Sequence, residues 1–314
     1  MGPTSAVLRL ATRLAAVGLV SGCVTAGQPS PHAATRTPDS VAPWTKLLFD
    51  QPSPYQRVLV LDEGPLRVMR FGDARASEQS AIVRDRPGAL PLEYTRYALL
   101  GLAYGAAGPG GAVGAPRNLL MVGLGGGTFT TVVHRALPEV GIDAVEIDPV
   151  VVTAARKLFD LREDARYRVH VADAASWMTS TTNSYDYILL DSYAGEGIPE
   201  ALRTVAFFQS VARRLAPGGV VAINVAELEA EGADAVRALR EVLVVFDCWQ
   251  APSDGNLVIF AASGPFAIDG AVFMRWLDRW DARHVTDVDL RSLIAKRDGD
   301  DCARVLGASG RWTQ

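Results

Sequence analysis

Carboxylates and glycines stand directly after several of the apolar segments of this 314-residue chain. Glu146, Asp173 and Asp191 each end or follow a short apolar run, and residues 123–127 (GLGGG) follow another. A carboxylate can accept hydrogen bonds, pair with a cation or take up a proton. Glycines in such a turn let a ligand approach the backbone closely. Together these residues predict a ligand site with acid–base chemistry.

The glycine run favours an adenosyl ligand over a dinucleotide. A dinucleotide-binding turn has the pattern GxGxxG, and its sixth position is Thr128 here. Glu146 lies 23 residues after Gly123, where its carboxylate can accept hydrogen bonds from two ribose hydroxyls. Asp173 and Ala174 can lie near the adenine amino group. The alternative for each acid alone is a helix N-cap or a solvated loop position.

Asp191 is the residue that we expect to carry the chemistry. It follows the run 185–190 (YDYILL), which is apolar except for Asp186, and opens the loop 192–199, which can act as a lid. An ionised carboxylate there can pair with a sulfonium or accept a proton from a substrate amine. The alternative is an aspartate that only caps the loop.

Strands that alternate with helices must position these residues. This pattern predicts an α/β fold with a doubly wound parallel sheet, in which ligands bind beyond the carboxyl ends of the strands. The predicted strands are 118–122, 142–147, 167–171, 185–190 and 220–225, with 244–249 and 257–261 as a closing antiparallel pair. The predicted helices are 91–104, 130–137, one after Asp148-Pro149, 200–215, 233–243 and 272–281.

The chain divides into five predicted parts. Residues 57–62, 65–71 and 79–84 are short β-type runs, with a hairpin at Glu63-Gly64, and they predict a small antiparallel β-domain over 45–88. The Rossmann-like domain follows at 89–264 and a C-terminal extension at 265–314. Trp276 and Trp280 in this extension are expected to pack in the core.

The N-terminal region is predicted to be a signal and a tether. Residues 1–23 contain two arginines, a short apolar stretch and then Ser21-Gly22-Cys23, which resembles the lipobox of bacterial lipoproteins. Residues 24–44 have the composition of a flexible linker. We therefore expect lipidation at Cys23 and a lipid-anchored protein of the cell envelope. The alternative is a cytoplasmic protein with a disordered extension.

Composition excludes several classes of protein. The net charge of −4 argues against a nucleic-acid binder, and no CxxC or paired histidine gives a metal site. No apolar run reaches the roughly 18 residues of a membrane span. In an exported chain Cys248 and Cys302 could pair, although two separate buried thiols are the interpretation that we favour.

Several motifs, taken in order, resemble the spermidine synthase (polyamine aminopropyltransferase) family, with a similarity over roughly residues 54–262. Gln79 and Tyr94 look like the glutamine and tyrosine that the family places near its substrate amine. The pattern is closest to divergent spermidine-synthase-like proteins. The matching motifs are 123–127 (GLGGG), 145–149 (VEIDP), 171–174 (VADA), Asp191-Ser192, 202–208 and 217–219 (PGG).

The resemblance implies a small N-terminal β-domain, a class I methyltransferase-type sheet and decarboxylated S-adenosylmethionine as the cofactor, without a metal. The glycine run would contact the thioether arm, Glu146 the ribose, and Asp173 with Ala174 the adenine. The implied cofactor-binding residues are Gly123, Gly125, Gly127, Glu146, Asp148, Asp173, Ala174 and Gln79.

The resemblance also implies aminopropyl transfer to a small amine, with Asp191 as the general base. An aliphatic amine has a pKa near about 10, so it must lose a proton before it attacks. Tyr94, Tyr193 and Glu196 would bind this amine. A homodimer is left open.

The chain departs from the family pattern at acidic positions. The glycine loop of the family carries an aspartate, and the equivalent residue here is Gly126 or Thr128. The second aspartate of the family's lid motif is Ala194, with Glu196 two positions away as a candidate substitute. Because each charge-assisted contact contributes about 1.5–3 kcal/mol, two missing carboxylates would weaken polyamine binding.

Three functions therefore remain open from the sequence. The first is an aminopropyltransferase. The second is a methyltransferase that uses intact S-adenosylmethionine on the same fold, since the loss of the loop acid removes one reason to exclude the carboxylated cofactor. The third is a non-catalytic lipoprotein that binds a nucleoside or an amine.

Overall fold

The computed structural model of the protein describes residues 45–108, 116–193, 197–226 and 230–295. The predictions for the signal segment with Cys23, for the linker, for Glu196 and for Cys302 lie outside the described residues. None of the described helices is long and apolar enough to cross a membrane.

A seven-stranded sheet forms the centre of the fold, in the order β10-β11-β9-β8-β5-β6-β7. The five strands from β9 to β7 are parallel, and β11 and β10 close the sheet as an antiparallel pair. This confirms the predicted α/β class and the closing pair. The strands are β5 (Asn118–Val122), β6 (Gly141–Glu146), β7 (Tyr167–Val171), β8 (Tyr185–Leu190), β9 (Leu215–Ala226), β10 (Val244–Ala251) and β11 (Asn256–Ala262).

Helices cover both faces of this sheet, because its strands are apolar on both sides. One hydrophobic cluster joins α1, α2, α3 and α8 to one face, and a second joins α5, α6 and α7 to the other. The helices are α1 (Glu93–Ala98), α2 (Leu100–Ala107), α3 (Thr128–Ala136), α4 (Pro149–Leu158), α5 (Ala174–Ser180), α6 (Val205–Arg214), α7 (Ala230–Arg240), α8 (Gly270–Asp281) and α9 (Leu290–Ala295).

A four-stranded antiparallel sheet precedes this domain, with the strands β1 (Thr45–Pro52), β2 (Arg57–Glu63), β3 (Leu66–Phe71) and β4 (Glu78–Val83) in sequence order. One of its faces packs on α4, where Phe49 and Met69 lie against Val151. Ser53 also donates a hydrogen bond of 2.6 Å to Asp148, just before α4. The N-terminal sheet is therefore fixed next to the carboxyl ends of the parallel strands.

Some elements differ from the sequence-based expectation. The strand β1 was not predicted, because half of its residues are polar and only Phe49 is buried. The predicted helix 91–104 is divided into α1 and α2 at Leu99, and the predicted helix 200–215 is a short 3-10 turn followed by α6, which Thr204 caps. The short helices α5 and α9 were also not predicted.

Two expectations outside the sheet can be compared with the structure. Trp276 and Trp280 are buried and stacked, with ring centroids 5.4 Å apart, so their predicted role in the core is confirmed. Cys248 is buried in β10 and is disulfide-bonded, which corrects the interpretation of Cys248 as a separate thiol.

Candidate active site

The carboxyl ends of β5 and β8 lie side by side at the centre of the sheet. The chain continues from β5 toward β6 on one side, whereas β8 is followed by β9 on the other, which leaves a crevice at this point. Gly123 follows β5 with a φ of +87°, and a Cβ there would lie 2.0 Å from the carbonyl oxygen of Asp191. Glycine is therefore required where the two strand ends meet.

Glu146 holds the glycine loop from the end of β6. Its Oε2 accepts the backbone N–H of Leu124 at 3.0 Å, and its Oε1 accepts the N–H of Asp148 at 2.9 Å. Burial raises the pKa of Glu146, and these backbone hydrogen bonds act in the opposite direction. Each carboxylate oxygen has a second lone pair, so Glu146 can still accept hydrogen bonds from a ligand.

Asp191 is held by a donor at each oxygen. The Tyr94 hydroxyl donates to Oδ2 and the Asn224 side-chain amide donates to Oδ1, both at 2.9 Å. Burial raises the pKa of Asp191, and the hydrogen bonds from Asn224 and Tyr94 partly offset that effect. Burial also raises the pKa of the Tyr94 phenol well above its usual value, so this hydroxyl remains a donor.

A second layer of contacts fixes these two donors. The oxygen of the Asn224 side chain accepts a hydrogen bond of 2.9 Å from Asn256, at the start of β11. Asp254, in the turn between β10 and β11, accepts the backbone N–H of Tyr94 at 2.8 Å. The base candidate is thus supported by β9, by α1 and by this turn.

All these groups line one cavity of about 860 Å³ between the N-terminal sheet and the strand ends. Drug-sized ligands occupy pockets of roughly 300–1,000 Å³. The carboxylates in its wall are Glu78, Glu146, Asp173, Asp191 and Asp254.

Most of the predicted site residues lie in the wall of this cavity. In addition to Glu146, Asp173 and Asp191, they are Gly123, Gly125, Ala174, Gln79, Tyr94 and Tyr193. Asp173 also caps α5, where its Oδ1 accepts the N–H of Ser176 at 2.8 Å. Asp173 is therefore a helix N-cap, which was the alternative role expected from the sequence. Its second carboxylate oxygen can still contact a ligand.

Gly127 and Asp148 are the two predicted residues among those described that do not line the cavity. Gly127 caps α3 with a φ of +69°, and a Cβ there would lie 2.6 Å from Leu161. Asp148 is fully buried and caps α4, with its Oδ2 bound to the Ser53 hydroxyl. Their sequence positions match the family motif, but their contacts are structural.

The two positions for the missing loop acid differ in the structure. Gly126 is packed against Phe159 and does not line the cavity. A Cβ at Gly126 would lie 2.5 Å from the Phe159 ring. Thr128 does line it, and its hydroxyl donates to the backbone oxygen of Ala81 at 3.2 Å. Among the described residues, no group of three or more His, Cys, Asp or Glu could hold a metal ion.

The sequence did not reveal Asn224, Asn256 or Asp254 as site residues. Asn224 is a polar residue within the otherwise apolar strand β9, and this signal could have identified it. The position of Asp254 depends on a contact between residues 160 positions apart, which no local pattern shows.

Comparisons with known proteins agree with this fold. Residues 106–249 match the family model described as "Spermine/spermidine synthase domain". A polyamine aminopropyltransferase of Vibrio vulnificus is 30% identical over 57% of this chain and 58% of its own length. One from Chromobacterium violaceum is 33% identical over 53% of this chain and 60% of its own length. The chain thus spans about three-fifths of the length of these curated relatives.

Methyltransferases also match. The mouse eEF1A lysine and N-terminal methyltransferase is 32% identical over 48% of this chain and 23% of its own length. The structure of human methyltransferase-like protein 13 in complex with SAH has a TM-score of 0.52 and 26% identity, and covers 68% of this chain and 97% of that one.

A spermidine synthase in complex with the transition-state analogue AdoDATO has a TM-score of 0.55 and 21% identity. This likeness covers 69% of this chain and 74% of that one, and it shows a shared fold. The fold is therefore the class I methyltransferase-type sheet with a preceding β-domain. Within this fold, residues 106–249 are similar to the spermine/spermidine synthase domain, and the chain is similar to part of the polyamine aminopropyltransferases.

Proposed function

We propose that the protein transfers an aminopropyl group from decarboxylated S-adenosylmethionine to a small amine. The observation that carries the proposal is the position of Asp191. Its carboxylate ends β8 at the centre of the sheet, is held by Tyr94 and Asn224, and faces the cavity. The curated relatives named polyamine aminopropyltransferases support the same reaction.

The cavity has the features that an adenosyl sulfonium requires. Gly123 and Gly125 line it with left-handed backbone conformations, so no side chain shields the loop from a ligand. Glu146 accepts backbone N–H groups and still has acceptor capacity for a ribose hydroxyl, and Asp173 retains an oxygen for the adenine amino group. We expect the sulfonium arm to extend from Gly123 toward Asp191.

Asp191 is suited to remove a proton from an ammonium group. An ordinary aspartate is a much weaker base than an amine. Burial raises the pKa of Asp191 and so reduces the pKa difference between the carboxyl and the ammonium group. The donors Tyr94 and Asn224 favour the ionised form of the carboxylate and fix its direction. The ionised carboxylate is then a stronger base than a solvated aspartate.

The proposed step balances as follows. Asp191 takes one proton from the ammonium, and the freed amine nitrogen forms a bond to the carbon next to the sulfonium. The C–S bond breaks and its electron pair goes to sulfur, which gives neutral methylthioadenosine and a secondary ammonium. The sulfonium supplies the electrophilic carbon, and the cavity holds the reactants in line.

The test is the release of methylthioadenosine from decarboxylated S-adenosylmethionine and a panel of amines. We expect product with at least one amine, and a loss of about 10²–10⁴-fold in Asp191→Asn, the usual contribution of a general base. Asp186→Asn is the control, because Asp186 lies at the opposite end of β8 and its Oδ2 alone accepts two backbone N–H groups. No product with any amine would refute aminopropyl transfer.

A methyltransferase is the second candidate, and a specific observation favours it. The loop positions Gly126 and Thr128 carry no acid, so nothing at these positions repels the carboxylate of intact S-adenosylmethionine. The similarity to methyltransferases also supports this second candidate. Calorimetric titration with both cofactors separates the two functions, since tighter binding of the carboxylated form favours methyl transfer.

We also propose that Cys23 carries a lipid anchor, on the basis of the sequence Ser21-Gly22-Cys23 after an apolar stretch. Membrane fractionation of the full chain and of Cys23→Ala tests this. Recovery of the unsubstituted chain in the membrane pellet and of the variant in the soluble fraction is expected. The same distribution for both would contradict the anchor.

A further inference from the structure

Asn224 and Asn256 are polar residues in strands that are otherwise apolar. Asn224 is buried in β9, and Asn256 opens β11 in the wall of the cavity. The two strands are antiparallel, with Asn224 opposite Val258 and Asn256 opposite Ala226. The two asparagines are therefore diagonal neighbours, at a separation that their side chains can bridge. A buried amide costs free energy unless both of its polar ends have partners.

The two asparagines and Asp191 form a series of hydrogen bonds that runs in one direction. Asn256 donates from its Nδ2 to the Oδ1 of Asn224, and Asn224 donates from its Nδ2 to the Oδ1 of Asp191, both at 2.9 Å. An amide has a donor end and an acceptor end, whereas an ionised carboxylate only accepts. Each bond of the series therefore points its donor toward Asp191.

Only one orientation of the Asn224 amide suits both of its neighbours. If this amide turned by 180°, its oxygen would face the Asp191 carboxylate and its nitrogen would face the Nδ2 of Asn256. The first contact would join two acceptors and the second would join two donors, so both hydrogen bonds would be lost. The donor of Asn256 therefore adds to the preference for the orientation in which Asn224 donates to Asp191.

The charge on Asp191 depends on its donors. Burial raises the pKa of Asp191, and the hydrogen bond from Asn224 is the largest of the influences that lower it. Burial also raises the pKa of the nearby phenols of Tyr94 and Tyr187 well above their usual value, so neither ionises in the acidic range. The titratable side chains around Asp191 and its donor Tyr94 are Tyr94 of α1, Tyr187 of β8, Tyr193 of the loop after β8 and Asp254 of the turn between β10 and β11.

We infer that Asn256 is a positioning residue, which holds the Asn224 amide in the orientation that presents a donor to Asp191. This inference rests on the proposed role of Asp191 as the base of the transfer. Asn256 acts through Asn224 and takes no part in the chemical step. It influences the reaction through the ionised fraction and the direction of the Asp191 carboxylate.

The test is the pH profile of methylthioadenosine release. Asn256→Leu removes the donor to Asn224, so we expect kcat/KM to fall by about 10-fold in acid and the acidic limb to move to higher pH. Asn256→Asp places an acceptor against the Oδ1 of Asn224 and should move the limb further. Asn256→Gln keeps an amide donor and should restore most of the original profile.

Asn183→Leu is the matched control, because it makes the same change at an exposed asparagine before β8, at the opposite end of this strand from Asp191. It should leave the limb in place. In an Asn224→Leu background, Asn256→Leu should not move the limb further, because the amide through which it acts is already absent. An unmoved limb in both Asn256→Leu and Asn256→Asp, or the same shift from Asn256→Leu with and without Asn224, would overturn the inference.

A ¹³C NMR titration of the Asp191 carboxyl in the ligand-free protein, assigned by comparison with Asp191→Asn, separates this inference from the proposed function. A higher pKa of Asp191 in Asn256→Asp but not in Asn183→Leu, in a protein that releases no methylthioadenosine with any amine, would retain the positioning role and refute the transfer. Turnover together with the same Asp191 titration in all these variants would retain the transfer and refute the role of Asn256.

Discussion

The hydrogen bond from Tyr94 to Asp191 gives a prediction about the pH dependence of activity. Tyr94→Phe removes the donor at Oδ2, 2.9 Å away, and leaves Asn224 at Oδ1. A hydrogen bond to a charged group contributes about 1.5–3 kcal/mol. Because this donor favours the ionised carboxylate, its loss raises the pKa of Asp191 further.

The direction of the effect follows from which form is active. Only ionised Asp191 can accept the proton, and the lost donor favoured that form. The acidic limb of the kcat/KM profile therefore moves to higher pH in Tyr94→Phe. Stability changes with pH in the opposite sense to activity. Because the pKa of Asp191 is raised in the folded state, folding stability falls as pH rises through that pKa, and Tyr94→Phe should make this fall larger.

The assay is methylthioadenosine release across the acidic pH range, with thermal denaturation at the same pH values. Tyr97→Phe is the control, since Tyr97 lies in the same helix, stacks on Trp249 at 5.5 Å and does not line the cavity. It should leave the limb in place. If kcat/KM in Tyr94→Phe falls by the same factor at every pH and the acidic limb does not move, then Tyr94 orients Asp191 and does not change its pKa.

Two further predictions concern the glycine loop and its support. Glu146→Gln leaves one side-chain oxygen to accept two backbone N–H groups. The affinity for decarboxylated S-adenosylmethionine, measured by calorimetry, should therefore fall by about 10–100-fold. An unchanged affinity would show that Glu146 does not contact the cofactor. Gly123→Ala places a Cβ 2.0 Å from the Asp191 carbonyl oxygen, so the free energy of unfolding should fall by about 1–3 kcal/mol in urea denaturation. Gly264→Ala, with open space around the new Cβ, should not change it, and equal stability of the two variants would contradict this account.

The sequence predicted the parallel sheet well because its strands are short, mainly apolar runs that alternate with helices. The predicted bounds of β5, β7 and β8 match the structure, and the Glu63-Gly64 hairpin joins β2 and β3 as expected. The strand β1 could not be recognised in the same way. It is an edge strand with one buried side chain and has no alternating apolar pattern. Its strand conformation comes from the pairing with β2.

Predictions of individual site residues depended on whether their contacts were local. Gly123, Glu146 and Asp191 follow directly from strand ends, and they line the cavity. Gly127 and Asp148 lie in the same motifs, but helix capping and a contact with Ser53 turn them away from it. A motif therefore locates a turn, whereas the neighbouring elements decide which of its residues face the ligand.

The division between local and long-range contacts also separates the two parts of the proposed function. The residues proposed to contact the cofactor lie at or directly after strand ends, so the backbone geometry of the sheet fixes their positions. The surroundings of Asp191 are built from α1, from Asn224 and from the turn with Asp254, whose contacts join residues 33 to 160 positions apart. Substitutions at such positions can change the substrate of a shared fold, because specificity commonly resides in loops and attached residues. A chain that has lost the acids expected at Gly126 or Thr128 can in this way keep the transfer chemistry and differ in its substrate.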